Sequence, residues 1–314
     1  MAKKQYAQTI LMVEPVDFRF NVQTAVNNYF QVETDESPDS IQKKALGEFN
    51  GMVAKLREKG VNVVVLKDTP EPHTPDSIFP NNWITFHEDN SVALYPMFAK
   101  NRREERRTED VLNLLSKHGF NAQQITDYTA SEEDNIFLEG TGSIILDRVN
   151  MIAYAALSPR TDKDLFLKFC EDFNYRPVAF EANQTVDGKR MQIYHTNVMM
   201  CVADDYAVIC LSTIDDPAEN KMVVDALRGS GKEIIDISEE QMHRFAGNML
   251  QVGGSGNSRY LVMSKTACDS LTEEQVKTIE KYNPILAVDI ETIETQGGGS
   301  ARCMMAEVFL PAKA

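Results

Sequence analysis

Five times along this chain a strand–helix–strand pattern gives way to a short polar segment, and the residues best suited to chemistry recur there at nearly constant spacing. The segments read SIFPNNWITF, NIFLEGTGSIIL, YHTNVMMCV, FAGNMLQVGG and GGGSARCMMAEVF. They carry Asn82, Glu139, His195, Asn248 and Cys303, separated by 57, 56, 53 and 55 residues. Between them run apolar strand-like stretches such as VNVVVLKD, YAVICLSTI and YLVMSKTA, and helix-like stretches such as SIQKKALGEFNGMVAKLREKG and RREERRTEDVLNLLSKHG. Helices begin at Thr, Asp or Pro signals, and several end at Gly or Asn. If five like units close into a ring, equivalent positions face one axis, and a Glu, a His and a Cys far apart in sequence meet there. A doubly wound open sheet explains the alternation equally well, but not the even spacing of the polar set.

The cysteine at the end of this series follows Gly297, Gly298, Gly299 and Ser300. Glycines allow positive φ and close backbone approach, so the run suits a tight turn presenting one thiol. A thiolate is a nucleophile, and an imidazole near it is a common way to generate it. His195 enters an apolar strand, and Glu139 lies between two apolar segments, where an unpaired charge is costly. Each has an ordinary structural explanation: a buried apolar thiol, a hydrogen-bonded strand-end histidine, a turn carboxylate in water. Their recurrence at one module spacing is what points to a site. Cys170, on an apolar helix face, and Cys201 and Cys210, on strand-like runs, read as core.

Composition excludes several classes. With net charge −15 the 314-residue chain lacks the basic surface a duplex nucleic acid requires. No stretch reaches the roughly 18–20 apolar residues of a membrane span. Five cysteines without a CxxC pair argue against a disulfide framework or structural zinc, and point to a reducing cytoplasm. There is no HxH or HExxH spacing, so neither a metal nor another cofactor is expected. The EGTG and GSGKEI stretches lack the Walker spacing, and the second opens a strand rather than a helix.

The combination DSIFPNNW, LEGTGS, ALSPRTD, YHTNVMM and GGSARCM resembles the guanidino-group-modifying, or pentein, superfamily, which includes arginine deiminases, amidinotransferases and dimethylarginine hydrolases. Within it the chain looks most like amidinotransferase-like proteins of the citrulline-utilisation (CtlX) type. The resemblance covers essentially the whole chain. It implies an α/β fold of five ββαβ modules in a five-bladed propeller, with residues 1–314 as one domain. It also implies that Cys303 attacks the central carbon of a guanidino or ureido group, with His195 as acid and base and Glu139 binding substrate N–H and steadying His195. Asp76 and Phe79 then cover and bond the substrate head, Arg160 grips an α-carboxylate, and Arg102 or Arg103 supplies a second clamp. The stretch VEPVDFRFN, residues 13–21, is expected to cover the site.

One departure bears on the substrate. Where many arginine-processing relatives place acids, this chain has Asn82 and Asn197. A guanidinium offers only donors and suits paired carboxylates, whereas a ureido group offers donors and one acceptor, which amides can complement. The expected partner is therefore a small amino acid, citrulline before arginine. The expected products are ornithine, carbon dioxide and ammonia. Arginine deiminase, dimethylarginine hydrolase and amidinotransferase chemistry use the same Cys–His–Glu set. A non-catalytic propeller, as in the ribosome anti-association factors, is the alternative of another class. Homo-oligomerisation is left open.

Overall fold

The computed structural model describes residues 3–313. It contains five three-stranded sheets of one pattern, in which the first strand pairs antiparallel with the second and the second pairs parallel with the third. A parallel pair needs a crossover, and in each sheet a helix supplies it. Thus Ser91–Leu94 and Gln124–Asp127 flank helix Thr108–Lys117, Ile152–Leu157 and Arg176–Glu181 flank Lys163–Asp172, and Tyr206–Ile209 and Glu233–Asp236 flank Pro217–Gly229. Arg259–Ser264 and Ile285–Val288 flank Glu273–Glu280 in the same way. The remaining sheet joins both ends of the chain. Thr9–Glu14 runs parallel to Asn62–Lys67 across helix Pro38–Glu58, and its other edge takes Ala306–Glu307, with Ile10 opposite Glu307.

The helices form where the sequence supplies caps and an apolar stripe. Helix Pro38–Glu58 starts with Ser37 accepting from the Ser40 N–H and with Pro38 in its first turn, and it buries Ile41, Ala45, Phe49, Met52, Val53 and Leu56. Asp162 and Asp216 cap their helices likewise, and Thr272 forms a reciprocal capping box with Gln275. The central strands, such as Ile152–Leu157 and Tyr206–Ile209, are buried almost throughout, as strands covered on both faces must be.

Two local expectations differ from what is found. The helix read over RREERRTEDVLNLLSKHG is two helices, Lys100–Arg103 and Thr108–Lys117. The chain breaks between them because Arg102 and Glu105 both turn inward and pair. A hairpin, Asn183–Val186 with Lys189–Gln192, sits outside the five sheets; Asp187 and Gly188 hold positive φ at its turn.

Each sheet's first strand is short and is preceded by a tight turn: Pro80–Asn82, Gly140–Ser143, Thr196–Val198, residues 247–249 and residues 300–304. Consecutive turns are bonded to one another. Thr141 Oγ1 donates to the Asn81 carbonyl, Thr196 Oγ1 to the Ser143 carbonyl, Asn248 Nδ2 to the Asn197 carbonyl, and the Arg302 N–H to Asn248 Oδ1, at 2.6–3.2 Å. The turn set therefore meets as a group, although its members lie more than 50 residues apart.

Candidate active site

The turns deliver five of their side chains to one buried place. Glu139 immediately precedes the turn Gly140–Ser143 and His195 the turn Thr196–Val198, so each side chain leaves the backbone where its turn begins. His195 Nε2 lies 2.6 Å from Glu139 Oε2, and both residues are buried. Burial works against the Glu139 charge, but Arg160, 3.5 Å away, and His195 outweigh it and hold the carboxyl well below its usual range. Burial likewise penalises the imidazolium of His195 and lowers its pKa to about 4, against the opposing pull of Glu139. The pair at neutral pH is thus a carboxylate accepting Nε2–H from a neutral imidazole, which leaves Nδ1 as the ring's lone-pair nitrogen.

Glycine is required beside this pair. A Cβ at Gly142 would lie 2.4 Å from Asn82 Nδ2 and 2.8 Å from His195 Cε1 and Nδ1. At Gly299 a Cβ would lie 2.9 Å from the Phe79 ring and 3.4 Å from Cys303 Cβ. Gly298, which ends helix Glu291–Gly297 at φ +60°, has its carbonyl bonded by the Tyr194 hydroxyl at 2.7 Å. The triple glycine thus brings backbone against Phe79 and seats Cys303.

Cys303 Sγ receives two amide N–H groups, from Asn197 Nδ2 at 3.3 Å and Asn248 Nδ2 at 3.2 Å. Asn82, Phe79, Asp76, Arg102 and Arg160 line the same small cavity with His195 and Cys303. Arg102 is fixed by the two Glu105 oxygens, both at 2.9 Å, and its Nη1 donates to Asn82 Oδ1 at 2.8 Å. Asn82 Nδ2 and Asp76 Oδ1 are buried without a hydrogen-bond partner in the protein. One donor and one acceptor are thereby left on residues that line the cavity.

Arg103 stands off this place. Its Nε donates to the Met97 carbonyl and lies 3.4 Å from Glu132, so of the two arginines named as a second clamp only Arg102 reaches the cavity. Asn197 meets the Cys303 sulfur rather than the cavity lining. The covering stretch also differs from residues 13–21. Asn21 does bond Asp76, but the cover runs on through Thr24, Asn27, Asn28 and Gln31. Asn27 Oδ1 accepts from Arg160 Nε and Nη2, and the Thr24 carbonyl accepts from Nη2. The residues not singled out from sequence are Tyr194, Thr24, Asn28 and Glu105. Tyr194 had a signal in its place beside His195, and Glu105 in its i,i+3 relation to Arg102. The cover had none, because its polar residues resemble any surface loop.

The remaining space in the cavity is about 10 Å³, close to the size of one water. A larger cleft of about 390 Å³ around His87, Arg148 and Phe173 brings neither a cysteine nor a serine to its lining. Burial pushes Cys170 and Cys201 up to about 12 and Cys210 to about 11, so these thiols are unreactive at neutral pH. Among the described residues no group of three His, Cys, Asp or Glu side chains is placed to hold a metal ion, and no helix is long and apolar enough to cross a membrane.

Five strand–helix–strand sheets whose turns gather a cysteine, a histidine and a glutamate define the guanidino-group-modifying, pentein class of α/β proteins. Within that class the sequence profile of the eukaryotic N,N dimethylarginine dimethylhydrolase family matches residues 14–310, and the chain belongs to this family. Comparison with curated protein sequences finds no match. Solved structures with similar folds include ArgZ, an arginine dihydrolase from the ornithine–ammonia cycle in cyanobacteria, at 16% identity and TM-score 0.74. That alignment covers 97% of this chain and 41% of ArgZ, so the chain spans about two fifths of the full-length neighbour. The N-terminal domain of ArgZ bound to substrate aligns over 96% of this chain and 99% of that one, at 17% identity and TM-score 0.70. DDAH from Pseudomonas aeruginosa in complex with citrulline gives 15% identity, TM-score 0.65, and coverage of 96% and 99%.

Proposed function

We propose that this chain is a cysteine-dependent hydrolase of the ureido C–N bond of citrulline, built as one pentein domain whose five sheets surround a common axis as propeller blades. The bonded succession of turns supports the ring. The observation that carries the substrate reading is the orientation of Asn82. Arg102 can only donate, so Asn82 Oδ1 must face it, and Nδ2 is left without a partner, against Gly142 and on a residue that lines the cavity. An N–H donor there complements a ureido oxygen and opposes a guanidinium, which has no acceptor. Asp76 Oδ1 complements a ureido N–H.

In this reading Cys303 Sγ adds to the ureido carbon while its proton passes to neutral His195. The tetrahedral adduct collapses, the C–N bond to the δ-nitrogen breaks, and imidazolium His195 protonates that nitrogen as ornithine leaves. Water then gives a proton to His195 and adds to the S-carbamoyl carbon. The C–S bond breaks, His195 returns its proton to sulfur, and carbamate decays to carbon dioxide and ammonia. Glu139 holds the ring and stabilises the imidazolium that forms twice in the cycle. Arg160 binds the α-carboxylate once Asn27 moves aside.

A guanidino substrate is the second reading. Asp76 and Glu139 offer two carboxylates, and the family is named for dimethylarginine hydrolysis. ArgZ, an arginine dihydrolase, is similar in fold. Incubation with citrulline, arginine, dimethylarginines and agmatine, with identification of products, separates these. The citrulline reading expects ornithine from citrulline and none with Cys303→Ala. Citrulline accumulating from arginine or dimethylarginine, with citrulline itself untouched, overturns it.

A further inference from the structure

Cys303 is surrounded by donors and lacks an obvious acceptor. Asn197 Nδ2 and Asn248 Nδ2 both approach Sγ, at 3.3 and 3.2 Å, and no acceptor for the S–H proton is among its hydrogen-bond partners. The orientation of the Asn248 amide is fixed independently of the sulfur. The Arg302 backbone N–H donates to Asn248 Oδ1 at 3.0 Å, so the NH₂ end must be the one at Sγ, and its other hydrogen goes to the Asn197 carbonyl at 2.9 Å. Asn248 is fully buried, and its side chain has three hydrogen-bond partners: the Asn197 carbonyl, the Arg302 N–H and the sulfur. It lies two residues before the first strand of its sheet, Leu250–Gly253, as Asn82 does before Ile84–Phe86.

We infer that Asn248, together with Asn197, is a catalytic residue that stabilises the Cys303 thiolate, both when the proton leaves the sulfur for attack and when the sulfur departs from the S-carbamoyl carbon. The physical basis is that N–H donors to an ionised acceptor bind it more strongly than they bind its neutral form, the more so in a cavity closed to water. His195, a neutral imidazole at neutral pH, is not the positive partner that other cysteine enzymes set beside the thiolate. Two neutral amides take that place here. This inference rests on the reading of Cys303 as the nucleophile, and not on which substrate it attacks.

The test is alkylation of Cys303 by iodoacetamide without substrate, followed from pH 5 to 10 by peptide mass spectrometry, with Cys303→Ala to assign the signal. In Asn248→Ala the reactivity at pH 7 is expected to fall roughly tenfold and the midpoint of the pH profile to move up by about one unit, the scale of a lost charge-assisted hydrogen bond. Asn248→Asp keeps the size and the acceptor for Arg302 but sets a carboxylate against the sulfur, so its midpoint is expected to move further up. Asn197→Ala is expected to shift in the same direction. A profile in Asn248→Asp that coincides with wild type overturns the proposal, whatever happens in the alanine variant. Absence of citrulline turnover leaves it standing, because the alkylation does not involve the substrate.

Discussion

Arg160 Nε donates to Asn27 Oδ1 at 2.9 Å, so the guanidinium best placed to grip a carboxylate is already held by the segment that closes the cavity. The same guanidinium stacks over Tyr194 at 4.8 Å and pairs with Glu139, which leaves its outward edge to Asn27 and the Thr24 carbonyl. A substrate carboxylate is a stronger partner for that edge than an amide oxygen. On the proposed reading, entry of the substrate exchanges one for the other and moves the cover.

This exchange makes Asn27→Ala informative. Removing the competing amide lowers the cost of opening, so KM for the amino-acid substrate is expected to fall or stay level while kcat changes less than threefold. Arg160→Lys loses the planar fork and is expected to raise KM by at least tenfold. Steady-state kinetics of both variants checks the pair; a higher KM in Asn27→Ala contradicts the exchange.

Asn82→Asp tests the substrate reading. The carboxylate keeps an acceptor for Arg102 but removes the one unpaired donor on this cavity-lining residue. Loss of that donor, with a buried charge against a ureido oxygen, is expected to reduce kcat/KM on citrulline by roughly 10²-fold, about 3 kcal/mol. Any activity on arginine is expected to fall less or to rise. Equal losses on both substrates would remove Asn82 from the specificity argument.

Gly142 has room for no side chain. A methyl group 2.4 Å from Asn82 Nδ2 and 2.8 Å from the His195 ring forces both to move, and overpacking of this kind costs about 1–3 kcal/mol. Gly142→Ala is thus expected to lower kcat at least tenfold with a smaller effect on Tm. Gly51→Ala, where nothing lies within 4 Å of the added atom, is the matched control and is expected to keep wild-type rates.

On the proposed mechanism the acid limb of kcat/KM follows from His195. Its pKa is lowered to about 4 chiefly by burial, and the neutral ring is the form that accepts a proton first. Activity is expected to persist below pH 6.5 and to be lost as pH falls through about 4. The same shift acts on stability. A histidine held neutral in the fold leaves the unfolded chain binding more protons between about 4 and 6.5, so stability is full above pH 6.5 and declines as pH falls. The contribution is roughly 3 kcal/mol, and a denaturant titration series from pH 7 to 4 should lose about that much less in His195→Gln than in wild type.

Much of this arrangement is legible in the sequence. The alternation of strands and helices follows from apolar periodicity and caps, which are local properties of ten or twenty residues. The spacing of Asn82, Glu139, His195, Asn248 and Cys303 required only that like modules place like segments together, and the bonded turns show those segments meeting. Side-chain direction was not legible. Arg102 and Arg103 are adjacent in sequence, and only the pairing of one with Glu105 and of the other with Glu132 separates them. The covering segment was read too early, since residues 22–31 carry no pattern of their own and are defined by partners more than 50 positions away. By itself the sequence determined which residue types occupy the five turns, because that depends on period alone. Only the tertiary structure decided which end of the Asn82 amide is left unpaired and which end of Asn248 faces the sulfur, because an amide's orientation is set by the nearest obligate donor, Arg102 in one case and the Arg302 N–H in the other.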